Sequence, residues 1–446
     1  MRRARLAVSI VSTAAVVALV GARNPEATAT YAAEPTSVQQ LTTLVGFVDG
    51  MLRRIDPETL EPATGRAIPI GGGGCAQSHG GTACWSVPAW AASPDRTKVV
   101  VARNAASALR IVDVVRMRVV ADLRLGLDGG SVTALTWLAP RSVLAVQETY
   151  AERKRVVVLD AASGRVVARR ALNGTVAQLE RTTRELVLLV APAGRVGIAR
   201  LAVVDRRGTT RFVRLDRILV GSRLLSGGGH RVDSRGPALT IDLRGRRAIV
   251  VAQTIAAEVD LRTLAVSYRA LERPRSLLRR LWNWLEPVAN AKQVSGYHRQ
   301  ARWLGGEVVA VTGTDTTDGR YRPAGLHFID IRSWTMTAIE DGATRFDIAG
   351  EVLLATGGSW DAALQRSVGI GVAAYGSNGE QRFQLFEGQQ SWVSLVLGDR
   401  AYVGFVGPAA SEPMQIVELA SGQIVGARER PLPWLLVGAA SGGWSG

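Results

Sequence analysis

The chain has 446 residues, 54 of them Lys or Arg against 38 Asp or Glu, for a formal charge of +16. Only Lys98, Lys154 and Lys292 are lysines, so the basicity is arginine, as GC-rich coding produces; it is scattered without a DNA- or RNA-binding motif, which excludes a nucleic-acid reader. One long apolar run lies at the N-terminus and no second follows, which excludes a bundle of membrane helices.

Residues 1–33 read as a secretory signal. Arg2, Arg3 and Arg5 form a positive start, Leu6 to Ala22 is apolar, and small residues offer cleavage after Ala22 or Ala33. The run is shorter than the roughly 20 residues of a comfortable span, although an uncleaved anchor is the alternative. No cysteine follows it to carry a lipid. Residues 1–33 hold four arginines and one glutamate, so the remainder carries +13. The expected location is periplasmic, secreted or envelope-associated.

The stretch GGGGCAQSHGGTACWSVPAW (71–90) holds both cysteines, Cys75 and Cys84. Outside the cytosol two cysteines usually pair, and a loop this short gains about 2–3 kcal/mol from closure. A metal site on Cys75, His79 and Cys84 lacks a fourth ligand and the paired spacing of zinc sites. Free thiols are the third reading, and the disulfide is favoured.

A hairpin repeats through the rest of the chain: LRRIDPETLEP (52–62), LRIVDVVRMRVV (109–120), VVVLDAASGRVV (156–167), LAVVDRRGTTRFV (201–213), AAEVDLRTLAVS (256–267), LHFIDIRSWTMT (326–337), GVAAYGSNGEQRF (371–383) and MQIVELASGQIV (414–425). The strand-end markers are Asp56, Asp113, Asp160, Asp205, Asp260, Asp330, Tyr375 and Glu418. A carboxylate there accepts turn N–H groups, so these residues are structural rather than catalytic. Further short strands precede most hairpins, such as KVVVAR (98–103) and AIVVAQ (248–253). Four short strands per unit describe an all-β β-propeller of four-stranded blades, seven or eight in number with eight favoured. One domain, 41–441, is expected. LTTLVGFV (41–48) and PWLLVGAAS (433–441) would complete one blade from both ends of the chain, pairing edges that otherwise invite aggregation.

VPAWAASPDRTKVVVARNAASALRIVDVVRMRVVADLRLG (87–126) resembles the YVTN/WD40-like family of bacterial propellers: Ser93-Pro94-Asp95 matches its SPDG-type turn, with Arg96 at the glycine position. VVVLDAASGRVVARR (156–170) resembles the repeat of quinoprotein-like propellers, with Ala168 where that repeat has tryptophan. The resemblance implies a propeller fold and leaves activity open.

RPRSLLRRLWNWLEP (273–287) breaks the β pattern. Ser276 caps a short helical insertion (273–290) whose apolar side holds Leu277, Leu278, Leu281, Trp282 and Leu285. It packs on the propeller rim, or docks a partner or an anionic membrane through Arg279, Arg280, Trp282 and Trp284. ANAKQVSGYHRQARWLGG (289–306) reads as a linker to the next blade.

The four histidines, His79, His230, His298 and His327, show no metal spacing, and no nucleophile elbow or phosphate loop is present. His327 reads as an ordinary strand residue. His79, His230 and Arg231 are candidate binding-loop residues. The expected function is a monomeric, non-enzymatic propeller without cofactor that binds a protein, an anionic envelope polymer or a small ligand through one face. The alternative is a quinoprotein-like dehydrogenase or metal-dependent lactonase, with Ca2+ or a quinone in the axial channel.

Overall fold

A computed structural model describes residues 41–440, apart from 272–293 and several shorter stretches. The described residues form strands and turns with no helix, and the architecture is a β-propeller. Apolar residues alternate along short segments that end at Gly and Asp turns, so each unit folds as an antiparallel meander with two apolar faces.

Among the described residues six four-stranded sheets stand alone as blades, where seven or eight separate blades were expected. The remaining two four-stranded meanders, 175–220 and 294–340, run together in one ten-stranded sheet. The physical reason lies in the strand Thr210–Leu225. Its first half edges one meander; Gly221 then takes φ +112°, where a Cβ would lie 2.4 Å from the Arg195 carbonyl, and the strand carries on. Its second half pairs with Arg231–Gly236, which pairs in parallel with the start of Val294–Gly305. This strap passes from the outer strand of one meander to the inner strand of the other, bridging the 238–270 sheet between them. The expected helix at 273–290 lies outside the described residues.

The C-terminal strand Leu436–Ala440 pairs antiparallel with Leu41–Val48, which pairs with Met51–Ile55 and then Ile68–Pro69. The ends of the chain therefore build one blade together, as the sequence suggested. Hydrophobic clusters fill the gaps between neighbouring units around the ring. Val99, Val101 and Val112 meet Val45 and Leu52; Val187 and Leu201 meet Val250 and Val259; Leu44 and Ile55 meet Leu397 and Tyr402. The first strands of neighbouring units approach one another, so they line the axis.

The meander sets two faces. The 1–2 and 3–4 turns share one; the 2–3 turns and unit-to-unit connections share the other. The marker aspartates sit at 3–4 turns. Asp56, Asp160, Asp260 and Asp330 each accept two turn N–H groups on Oδ1, at 2.7–3.3 Å. These bonds hold the carboxyls of Asp56, Asp260 and Asp330 below their ordinary range. At the SPDG-like turn, Lys98 N donates to Ser93 Oγ (2.9 Å), and Arg96 takes the left-handed φ of +55° that glycine would supply.

Candidate functional site

The stretch read as a linker is the innermost strand of its unit. Val294–Gly305 buries Ala301 and Trp303 against the neighbouring 238–270 sheet and carries Tyr297, His298 and Arg299 at its strapped end. Gly296, at φ +152°, lets the strap approach: a Cβ there would lie 1.9 Å from the Ser234 carbonyl oxygen.

Arg299 is 2% exposed. Its Nη1 donates to the carbonyls of His298 (3.0 Å) and Thr314 (2.8 Å), and its Nη2 to Asp315 Oδ1 (2.5 Å). Gln253 Nε2, from the 238–270 sheet, donates to the same Asp315 oxygen at 3.1 Å. A buried guanidinium is tolerated because a carboxylate and two carbonyls replace its water. Tyr297 lies within cation–π range of Arg299 (5.3 Å) and of Arg235 on the strap (5.7 Å), and its hydroxyl donates to the Leu219 carbonyl (3.2 Å). Burial pushes the Tyr297 phenol up to about 12. Burial, and then the charge of Arg299, pushes the His298 imidazole below its ordinary value.

Beside this cluster a narrow cleft, with a cavity volume of about 20 Å³ beneath an open mouth, lies between the 238–270 sheet and the 294–340 meander. Val251, Leu271, Val311, Ile329 and Met336 form its apolar walls; Gln253, Arg299, Thr312 and His327 supply polar groups. It runs between the two units, with Gln253, Thr312 and Gly325 at the end away from the aspartate turns and Ile329 and Met336 nearer to them.

Of the residues singled out in the sequence, His327 lines this cleft from the strand Leu326–Asp330. Arg231 begins the strap strand opposite Leu225. His79, His230, Arg279, Arg280, Trp282 and Trp284 lie outside the described residues. Cys75 and Cys84 are direct cross-strand partners in the hairpin Gly74–Ser78/Gly81–Trp85; no disulfide bond is described between them. Among the described residues no group of three His, Cys, Asp or Glu side chains gathers as a metal site.

Near the axis, Gln178 accepts from Leu239 N (2.5 Å) and donates to the Arg299 carbonyl (3.4 Å), while Gln300 clasps Phe346 through both its N–H (3.2 Å) and carbonyl (2.7 Å). Glu180 faces Arg302 at 3.6 Å; burial pushes its carboxyl up to about 7, with the Arg302 charge opposing. Gln253, Tyr297, Arg299 and Asp315 went unnoticed in the sequence. The signal was available: Gln300-Ala301-Arg302-Trp303 alternates polar and apolar before a Gly-Gly turn, as a first strand does.

No known protein family matches the chain, and no curated protein does. Among solved structures it is similar to the dihydro-heme d1 dehydrogenase NirN in complex with DHE, at 14% identity and a TM-score of 0.52, over 91% of this chain and 77% of that one. It also matches the Cps50 (Swd1) β-propeller domain of Myceliophteria thermophila (10% identity, TM-score 0.38, 81% and 90% of the two chains). A chain of the mitotic checkpoint complex matches at 12% identity and a TM-score of 0.40, over 72% and 84%. The first likeness shows the β-propeller fold alone.

Proposed function

We propose that this is an exported binding propeller that holds a small ligand in the cleft between the 238–270 sheet and the 294–340 meander. The observation that carries this reading is the cleft itself, apolar-walled with Gln253, Arg299 and His327 at hand. The strap and the Arg299–Asp315 pair hold one wall in place, as a preorganised site requires. Export rests on the signal-like residues 1–33, and the YVTN/WD40-like assignment rests on the Ser93-Pro94-Asp95 turn and the hairpin repeat.

Thermal-shift screening of small molecules that carry an apolar body and one polar end tests it. A true ligand at about 100 times its Kd stabilises by about 2.7 kcal/mol. The shift should vanish in Gln253→Ala and in His327→Ala, both of which keep the core. Shifts that persist in both variants would place binding elsewhere.

A second reading is an oxidoreductase with its site at the axis, favoured by the likeness to a dehydrogenase that holds a bound DHE. Titration with heme-type and quinone cofactors, followed by absorbance, would show a stoichiometric new band under this reading and none under the first.

A further inference from the structure

Arginine is common throughout this chain, but its placement on the turn face is uneven. Three consecutive units, 131–172, 175–220 and 238–270, present Arg165, Arg206, Arg207, Arg244, Arg246 and Arg262 at their 1–2 and 3–4 turns, all six exposed. The aspartates of the same turns, Asp160, Asp205, Asp242 and Asp260, turn Oδ1 toward backbone N–H groups. On the far side of the ring the corresponding turns hold Glu307, Asp330, Glu351, Glu380, Asp399 and Glu418, against the single arginine Arg332 among the described residues. Among the described turn residues, one arc thus carries six arginines against four acids, and the other one arginine against six acids. Coding bias does not produce such a separation.

Two exposed apolar side chains follow these turns on the outer strands. Val167, 50% exposed, follows Arg165 on the strand Val166–Leu172; Phe212, 46% exposed, follows Arg206 and Arg207 on the strand Thr210–Leu225. Exposed apolar residues follow the 3–4 turn on the acidic arc too, Ile424 and Val425, so it is the charge that sets the arginine arc apart, and an arginine-rich face suits anionic head groups. The chain path agrees. Leu41 pairs with Ala440 at the end of the first strand of its blade, so Leu41–Val48 starts on this same turn face. The apolar run Leu6–Ala22 is joined to that side by 18 intervening residues, which reach at most about 60 Å.

We propose that the arginine arc of the turn face docks on the surface of a bilayer containing anionic phospholipid, leaving the opposite end of the cleft open to solvent. This docking stands independently of the ligand reading. Purified protein is sedimented with vesicles of phosphatidylcholine alone and of phosphatidylcholine with 30% phosphatidylglycerol. Binding is expected only to the second, and it should weaken as NaCl is raised to 0.5 M. Each arginine near an anionic surface is worth about five-fold in binding, so Arg206→Gln/Arg207→Gln/Arg262→Gln should lose about 100-fold. Arg332→Gln on the acidic arc should lose less than two-fold. The salt titration on the unaltered protein stands even if the triple variant misfolds. Equal binding to both vesicles, an equal loss in Arg332→Gln, or capture by duplex DNA without vesicle binding would each overturn the proposal.

Discussion

Trp137 is a place where three neighbouring units meet. It is fully buried on the strand Ser131–Ala139 among Leu109, Ile111, Val143 and Leu159. Its indole N–H donates to the Ala91 carbonyl of the preceding sheet (3.0 Å), and its own carbonyl accepts from Arg181 Nη1 of the following meander (2.8 Å). Trp137→Phe keeps an aromatic ring but removes the donor and shrinks the side chain. Leaving the Ala91 carbonyl without that donor costs about 1–3 kcal/mol. Losing two or so buried carbons costs a further 1–2 kcal/mol, at about 0.8 kcal/mol each. The expected destabilisation is about 2–5 kcal/mol, read as a lower urea midpoint with an unchanged slope. Val167→Ala, at a half-exposed position, is the control and should fall within about 0.5 kcal/mol of the parent. If Trp137→Phe unfolds no earlier than that control, the account of how adjacent units are locked is wrong.

Arg247 reaches Glu307 (2.8 Å), Glu258 (3.4 Å) and Asp242 (3.6 Å) and lies 5.1 Å from the Trp303 ring, so it ties the 238–270 sheet to the 294–340 meander; Arg247→Met should cost about 1–3 kcal/mol by urea unfolding, moderated by its partial exposure. The raised carboxyl of Glu180 makes the folded state hold a proton that the unfolded chain releases near pH 4–5. Its contribution to stability is therefore full below that range and fades as pH rises through about 7, and Glu180→Gln should flatten the stability profile between pH 5 and 7. The lowered carboxyls of Asp56, Asp260 and Asp330 act in the opposite sense: their contribution is present above the ordinary carboxylate range and is lost as acid protonates them. Changing all three to Asn should make acid unfolding less steep by circular dichroism. Cys75 and Cys84 are backbone partners across their hairpin, and the disulfide that the sequence favours is checked by intact mass, expected about 2 Da below the reduced chain.

The propeller was legible because its signal is local and repeated: a strand, an acidic residue at its end, a turn, a second strand. The joining of 41–48 with the C-terminal strand was legible because the first unit is one strand short and PWLLVGAAS (433–441) follows an already complete last unit. Less legible was the fusion of two meanders. It depends on Gly221 carrying one strand past its own sheet and on Gly296 admitting a parallel neighbour, and parallel pairing across more than 60 residues leaves no periodic trace. The site suffered most. Tyr297, His298 and Arg299 lie in a polar stretch after a long insertion, so polarity was read as a linker. Their neighbours Gln253 and Asp315 come from other strands, and only the fold brings them together. The acidic turns, by contrast, draw attention in the sequence and prove to be turn braces.

The most direct test of the account is native mass spectrometry of the protein purified from its own source, beside an Ala324→Phe variant. Ala324 is 5% exposed and lines the cleft, so phenylalanine there fills the space a ligand would use. The account predicts a small molecule bound one-to-one in the parent, or captured from a metabolite extract, and absent from the folded variant. Equal occupancy in both proteins would contradict it and move the site to the axis or the turn face.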